Sequence, residues 1–218
     1  MTAKAVRIEI PEALRALCLW SAAIVLCSTG AAAWFYQPSH PDFSPATTYL
    51  SEIGGAGGWP AAFFNTGLLI VAPLRLLVAV LLALRLREFG LSARTAHLIV
   101  ALAFITASGT VLMTASPYNF GPAEHKLGIL LYFCGTVFVL SLIGTVEYRL
   151  AGVPRLLAAM SGLTVIVYAA FAAMLGAWGA GLVPKTTPAP LEWICFAASI
   201  LWVVSHGLVL GRANLRAS

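Results

Sequence analysis

The residues that could do chemistry in this chain lie in two short polar segments between apolar stretches. The first segment contains Ser51 and Glu52, and the second ends in His125. A carboxylate and an imidazole can serve as general acid and general base, and a serine hydroxyl can act as a nucleophile or hydrogen-bond donor. The pattern predicts catalytic roles for Glu52, His125 and Ser51. The alternatives are a solvated carboxylate at Glu52 and a purely structural histidine at position 125.

Four further polar residues are candidates for binding a ligand: Arg75, Asn65, Asp42 and Glu192. Arg75 lies inside an apolar stretch, where a central arginine costs about 2.5–3.5 kcal/mol on translocon scales, so it needs a partner. An anionic head group, a carboxylate or carbonyls freed by Pro73 could supply one, and the alternative is snorkelling toward the cytoplasmic interface. We expect Asn65 to line the same bundle interior. Glu192 could instead stabilise a helix N-terminus.

Transmembrane helices must position these residues. The 218-residue chain is 60% hydrophobic and 10% charged, with a mean hydropathy of +0.91, which excludes a secreted disulfide scaffold, a disordered regulator and a nucleic-acid-binding protein. A bilayer core of about 30 Å needs about 20 apolar helical residues. Continuously apolar segments exclude a membrane β-barrel, so we predict one all-α polytopic domain over residues 1–218. Its six predicted spans are Ala16 to Tyr36, Ala61 to Leu84, Ala96 to Ala115, His125 to Val146, Leu156 to Trp178 and Leu191 to Leu210.

The basic residues predict the orientation of this bundle. Apart from Arg75, only Lys126 and Lys185 lie on one side, whereas the other side carries Lys4, Arg7, Arg15, Arg85, Arg87, Arg94, Arg149, Arg155, Arg212 and Arg216. Because Lys and Arg are enriched in cytoplasmic loops, we expect both termini in the cytoplasm and the candidate site on the outer face of the cell membrane. The net charge of +5 follows from this bias and gives no reason to invoke a nucleic-acid partner.

The longest external loop, residues 37–60, is predicted to contain a short interfacial helix. Ser44 suits the N-cap, Pro45 the first helical position and Gly54 the left-handed residue after the helix. The apolar stripe of this helix would lie against lipid or the bundle, and it consists of Ala46, Tyr49, Leu50 and Ile53.

Two runs in this region, Tyr49-Leu50-Ser51-Glu52-Ile53-Gly54 and Trp59-Pro60-Ala61-Ala62-Phe63-Phe64-Asn65-Thr66-Gly67, support a comparison. The chain resembles, from about residue 15 to 210, bacterial six-helix membrane proteins grouped as a domain of unknown function. It is also similar to the related DRAM and FGF-receptor-activating-protein group, which includes GPI-anchor lipid-remodelling factors. The resemblance implies a bacterial inner membrane location if the source is bacterial. It marks as signature positions Ser51, Glu52, Gly54, Pro60, Asn65, Gly67, Pro117 and His125.

Two functions are compatible with these patterns. One is binding or modification of a membrane lipid or lipid-like molecule at the outer interface, by a lipid-directed hydrolase or transferase if the protein is an enzyme. The other is a non-catalytic carrier, receptor or membrane-assembly partner. The sequence contains no nucleotide-binding loop, haem-type histidine pair or dinucleotide fingerprint, so we expect no cofactor. The loop before His125 lacks the Asp and Cys residues often found in the bacterial group, and we expect no metal.

Overall fold

The structure is a computed structural model that describes residues 9–117 and 121–212. The described residues form seven α-helices and one 3-10 turn at Gln37–Ser39, and they contain no strand. The helices are α1 (Ile10–Tyr36), α2 (Leu50–Gly55), α3 (Gly58–Glu88), α4 (Ala93–Ala115), α5 (Pro122–Arg149), α6 (Arg155–Gly179) and α7 (Ala189–Leu210). All except α2 are long and apolar enough to cross a membrane. The prediction of an all-α bundle with six membrane spans is confirmed.

The six long helices pack side by side as a ring. Each long helix packs mainly against the next one along the chain: α1 on α3, α3 on α4, α4 on α5, α5 on α6 and α6 on α7. Helix α7 also packs against α1, which closes the ring. Successive membrane spans run in opposite directions, and α1 and α7 are the first and last of six spans, so each helix of the ring runs opposite to its neighbours. We call the end with the α1–α3, α4–α5 and α6–α7 connections the outer end, following the orientation that the basic residues predict. The opposite end is the basic end.

Two glycines bring α4 and α5 into backbone contact. A Cβ atom built on Gly109 would lie 2.5 Å from the backbone nitrogen of Tyr132, and one built on Gly128 would lie 2.5 Å from that of Met113. Small residues at a helix crossing permit this close approach, which is the usual way for membrane helices to gain packing energy. The crossing fixes α5 against α4 near the outer end.

The short helix lies in the predicted loop but begins later than expected. Residues 44–48 form turns in which the Ser44 carbonyl accepts from the Thr48 backbone nitrogen at 2.8 Å, so Ser44 does not cap α2. The Thr48 carbonyl accepts instead from Trp193 Nε1 at 2.8 Å, which ties this segment to α7. Gly54 is helical, and the glycines with positive φ after α2 are Gly57, at 78°, and Gly58, at 59°.

Helix α2 docks on the bundle rather than on lipid. Leu50 and Ile53 of the predicted stripe are buried, whereas Ala46 is exposed. A Cβ atom on Gly54 would lie 2.9 Å from Phe64 Cδ1, so only glycine permits this approach to α3. Asn65 Nδ2 donates to the Gly54 carbonyl at 2.9 Å. The Gly54 and Asn65 positions of the sequence signature therefore hold α2 on α3.

Candidate functional site

A cavity of about 80 Å³ lies inside the ring near the outer end. This volume is several times the roughly 10–15 Å³ that one water needs. Most of the lining is apolar, as in most ligand sites, with few polar groups. The lining includes four of the seven residues that the sequence predicts for the site, namely Ser51, Asn65, His125 and Glu192. We call this space the outer cavity.

His125 is held in a defined orientation in the first turn of α5. Its side chain is buried, and its Nδ1 lies 2.9 Å from the Met113 carbonyl and 3.2 Å from the Ser116 carbonyl at the end of α4. Because a carbonyl only accepts hydrogen bonds, Nδ1 must carry a proton. In the neutral ring the lone pair is then on Nε2, which makes that nitrogen the basic atom of the side chain.

Glu192 combines two of the roles that the sequence allows. It lies in the first turn of α7, where an acid is favourable, and it lines the outer cavity. Its Oε2 accepts from the Leu50 backbone nitrogen at 2.6 Å, at the start of α2. The carboxylate therefore joins two helices that are 142 residues apart in sequence and is placed at the cavity wall by both.

Glu52 and Asp42 do not line the outer cavity. Glu52 Oε2 accepts from the Tyr49 backbone nitrogen at 3.0 Å, and Oε1 pairs with the Lys185 ammonium, so this carboxylate closes the first turn of α2 and ties it to the α6–α7 connection. Asp42 is exposed in the loop before α2. The structure thus brings Ser51 to His125 and Glu192, with Glu52 on another side of α2. The catalytic role of Glu52 stays a prediction.

Tyr49 anchors the α6–α7 connection beside the outer cavity. Its side chain is buried, and its hydroxyl donates to the Lys185 carbonyl at 2.7 Å. Burial, together with the negative charges of Glu192 and Glu52, raises the pKa of Tyr49 to about 12. The phenol therefore stays neutral, as a donor to a carbonyl must be.

A second cavity, of about 90 Å³, lies deeper in the ring and contains Arg75 in its lining. We call it the inner cavity. Tyr132 and Tyr168 line both cavities, and their hydroxyl oxygens are 2.8 Å apart. Arg75 Nη1 donates to the Tyr132 hydroxyl at 3.3 Å, which favours a partner in the ring interior over snorkelling. Asn65 and Arg75 both face the ring interior but line different cavities.

The sequence analysis missed a fully buried polar cluster near the basic end. His206 Nε2 and Glu147 Oε1 are 2.8 Å apart, and both side chains have no exposed surface. Ser161 Oγ donates to Glu147 Oε2 at 3.1 Å and accepts from Trp202 Nε1 at 2.8 Å. The available signal was an acidic residue directly after a predicted span, with a histidine inside another. Position alone could not show that they meet.

The fold defines a multi-pass integral membrane protein with two cavities inside a ring of six helices. A scan against protein-family models found no matching family, and searches of curated proteins and of solved structures found no match. Its function must therefore be inferred from the site itself.

Proposed function

We propose that the outer cavity binds a membrane lipid or lipid-like molecule and that His125, Glu192 and Ser51 act on its polar part. The observation that carries this proposal is the convergence of these three residues on one cavity whose remaining wall is mainly apolar. An amphiphile fits such a wall because its polar group can meet the few polar side chains while its chain stays against apolar ones. The relation to the lipid-remodelling group that the sequence signature resembles is part of the same proposal.

Acyl transfer is the reaction class that these side chains support best. His125 Nε2 accepts the proton of the Ser51 hydroxyl as Ser51 Oγ bonds to an ester carbonyl carbon, and the ester C–O bond breaks. His125 returns this proton to the leaving alkoxide. Water then attacks the acyl-serine, which gives a hydrolase, or a second alcohol attacks it, which gives a transferase. Glu192 stabilises the positive charge that His125 carries between these proton transfers.

Glu52 has a positioning role in this scheme. Its hydrogen bond to the Tyr49 backbone nitrogen and its ion pair with Lys185 hold α2, which carries Ser51 to the cavity.

A non-catalytic binding protein is the second candidate, and a specific observation favours it. Glu192 already accepts from the Leu50 backbone nitrogen, and His125 Nδ1 already contacts two carbonyls. Groups held in this way suit binding without proton transfer. In this case the protein would be a carrier, receptor or assembly partner that holds the same amphiphile.

The test compares binding and turnover in the full-length protein reconstituted in lipid nanodiscs. Nanodiscs containing phospholipids and an ester-linked fluorescent lipid analogue are analysed by mass spectrometry for retained lipid and for released acyl chains. His125→Gln and Glu192→Gln are the test variants. Matched controls are His97→Gln and Glu124→Gln, because both side chains are exposed and lie outside the cavity lining.

Three results are informative. Turnover lost in the test variants, with lipid retention kept, supports the enzyme. Retention lost in the test variants without any turnover in the wild type supports the binding protein. Equal retention and turnover in test and control variants would contradict both candidates, because neither His125 nor Glu192 would then contact the lipid.

A further inference from the structure

The inner cavity contains the cation of Arg75, which no carboxylate neutralises in the part of the chain that the structure describes. Arg75 lies about 20 Å or more from either end of α3 at the helical rise of about 1.5 Å per residue, so it is deep in the membrane. No carboxylate of residues 9–117 and 121–212 forms an ion pair with it. Its hydrogen-bond partner there is the hydroxyl of Tyr132. A guanidinium carries five N–H donors, so one phenol leaves most of its binding capacity unused.

A second, independent feature of the same cavity also indicates a ligand. Thr136 lines the inner cavity and is only 7% exposed, yet its hydroxyl has no hydrogen-bond partner within the described residues. The other threonine and serine hydroxyls in the lining behave differently, since Thr106, Thr110 and Ser199 each donate to a carbonyl of their own helix. A buried hydroxyl without a partner is costly, and a group bound in the cavity would supply the missing hydrogen bond.

The two features are adjacent in the fold. Tyr132 and Thr136 are four residues apart on α5 and therefore on the same helix face. Arg75, which donates to the Tyr132 hydroxyl, and Thr136 both line this cavity. Together they offer charged and neutral donors to a single anionic group.

We infer that the inner cavity is a binding site for a monoanionic carboxylate with a short apolar stem, held by Arg75, Thr136 and the Tyr132 hydroxyl. A single guanidinium matches one negative charge, and its planar fork suits a carboxylate. A dianion such as phosphate would leave a second charge uncompensated in an apolar region. The apolar stem would lie against the small side chains of the lining, which include Ala72, Ala79, Ala103 and Ala107. This site shares Tyr132 and Tyr168 with the wall of the outer cavity, but it does not depend on the function proposed for that cavity.

The test measures butyrate binding to the full-length protein in a neutral detergent by isothermal titration calorimetry. Methyl butyrate, which has no charge, and inorganic phosphate are the comparison ligands. Thr136→Val is the main variant and Arg75→Gln the second. The matched control is Thr29→Val, because Thr29 is likewise a buried threonine with an unpartnered hydroxyl but does not line the inner cavity.

We expect butyrate to bind the wild type and methyl butyrate not to bind. Thr136→Val should weaken butyrate about tenfold or more, as expected for the loss of one hydrogen bond to a charged group. Arg75→Gln should abolish binding, and Thr29→Val should leave it unchanged. Without ligand, both Thr→Val variants should raise the thermal midpoint, because each removes an unpaired buried hydroxyl. His125→Gln should not change butyrate affinity, which separates this site from the outer cavity.

A second arm identifies the source of the carboxylate. Native mass spectrometry of the purified protein detects any fatty acid that co-purifies with it. Butyrate binding that is lost in the variants indicates a free short-chain carboxylate, and a retained fatty acid that is lost in the same variants indicates a lipid source. Either result supports the site. The proposal would be overturned if the wild type showed no butyrate binding and no retained fatty acid. It would also be overturned if Thr136→Val bound butyrate as tightly as the wild type does.

Discussion

Glu147→Leu is expected to destabilise the protein strongly, because Glu147 is the centre of the buried cluster near the basic end. The carboxylate accepts from Ser161 Oγ at 3.1 Å and contacts His206 Nε2 at 2.8 Å, and neither Glu147 nor His206 has exposed surface. His206 Nδ1 lies 2.7 Å from the Trp202 carbonyl, so this nitrogen carries a proton. A second proton therefore lies between His206 Nε2 and the Glu147 carboxyl group. Replacing Glu147 with leucine would leave His206 Nε2 without this partner.

The expected loss follows from the two contacts. Leaving two buried polar groups unpaired costs about 1–3 kcal/mol each, and breaking a buried ion pair costs about 3–5 kcal/mol. Hydrogen bonds between membrane helices average only about 0.6 kcal/mol, because the unfolded chain finds other partners in the bilayer. Because this cluster contains an ionisable pair, its contribution should be well above that average. We expect Glu147→Leu to lower the free energy of unfolding by about 3 kcal/mol.

The assay is reversible unfolding in mixed detergent micelles with increasing SDS, for the wild type, Glu147→Leu, His206→Leu and the double variant. The double variant should lose less than the sum of the two single losses, with a coupling energy of about 1–3 kcal/mol for residues in direct contact. Glu9→Leu is the control outside the cluster. A Glu147→Leu loss below about 1 kcal/mol, together with additive losses, would refute the pairing.

Three further results are expected. Gly109→Ala should destabilise the α4–α5 contact by about 1–3 kcal/mol, because a Cβ would lie 2.8 Å from the Gly128 carbonyl oxygen. The matched control is Gly162→Ala, which has open space at its Cβ position. An equal effect of both variants on thermal unfolding would contradict the packing. Lys185→Ala should cost less than about 1 kcal/mol in the same assay, since its ion pair is solvent-exposed, and a larger loss would show that the pair is shielded. The Tyr49 phenol should ionise near pH 12, which can be measured as the 295 nm absorbance difference between the wild type and Tyr49→Phe. Because its pKa is higher in the folded than in the unfolded protein, the stability linked to Tyr49 is fully present below about pH 10 and is lost as the pH rises through about 12. Ionisation of Tyr49 near pH 10 would contradict its burial.

The membrane spans could be predicted because they depend on local composition. The predicted span Ala61 to Leu84 lies within α3, and the observed helix extends by a few residues at each end because helices continue past the apolar core into the interface. The start of α2 could not be predicted in the same way. Trp193 holds the Thr48 carbonyl from another helix, and such a contact leaves no local pattern in the sequence.

The sequence identified several residues that line the candidate site, but not which of them lie together. His125 and Ser51 were identified from their chemistry and outer position, and both line the outer cavity. The carboxylate that lines the cavity with them is Glu192 rather than Glu52. The Glu52 side chain instead accepts from the backbone nitrogen of Tyr49, three residues earlier, and closes the first turn of α2. Which carboxylate reaches a cavity is decided by tertiary packing, and local spacing contains no information about it.

The central claim is that a lipid-like molecule occupies the outer cavity beside His125 and Glu192. The most direct measurement is photo-crosslinking of a phospholipid with a photoactivatable head group to the protein in nanodiscs, with the labelled residues mapped by mass spectrometry. We expect labels on the cavity-facing starts of α2, α5 and α7, reduced in His125→Gln and Glu192→Gln but not in His97→Gln. Labels confined to exposed residues such as Trp20 and Leu182, with the same yield in every variant, would contradict the claim.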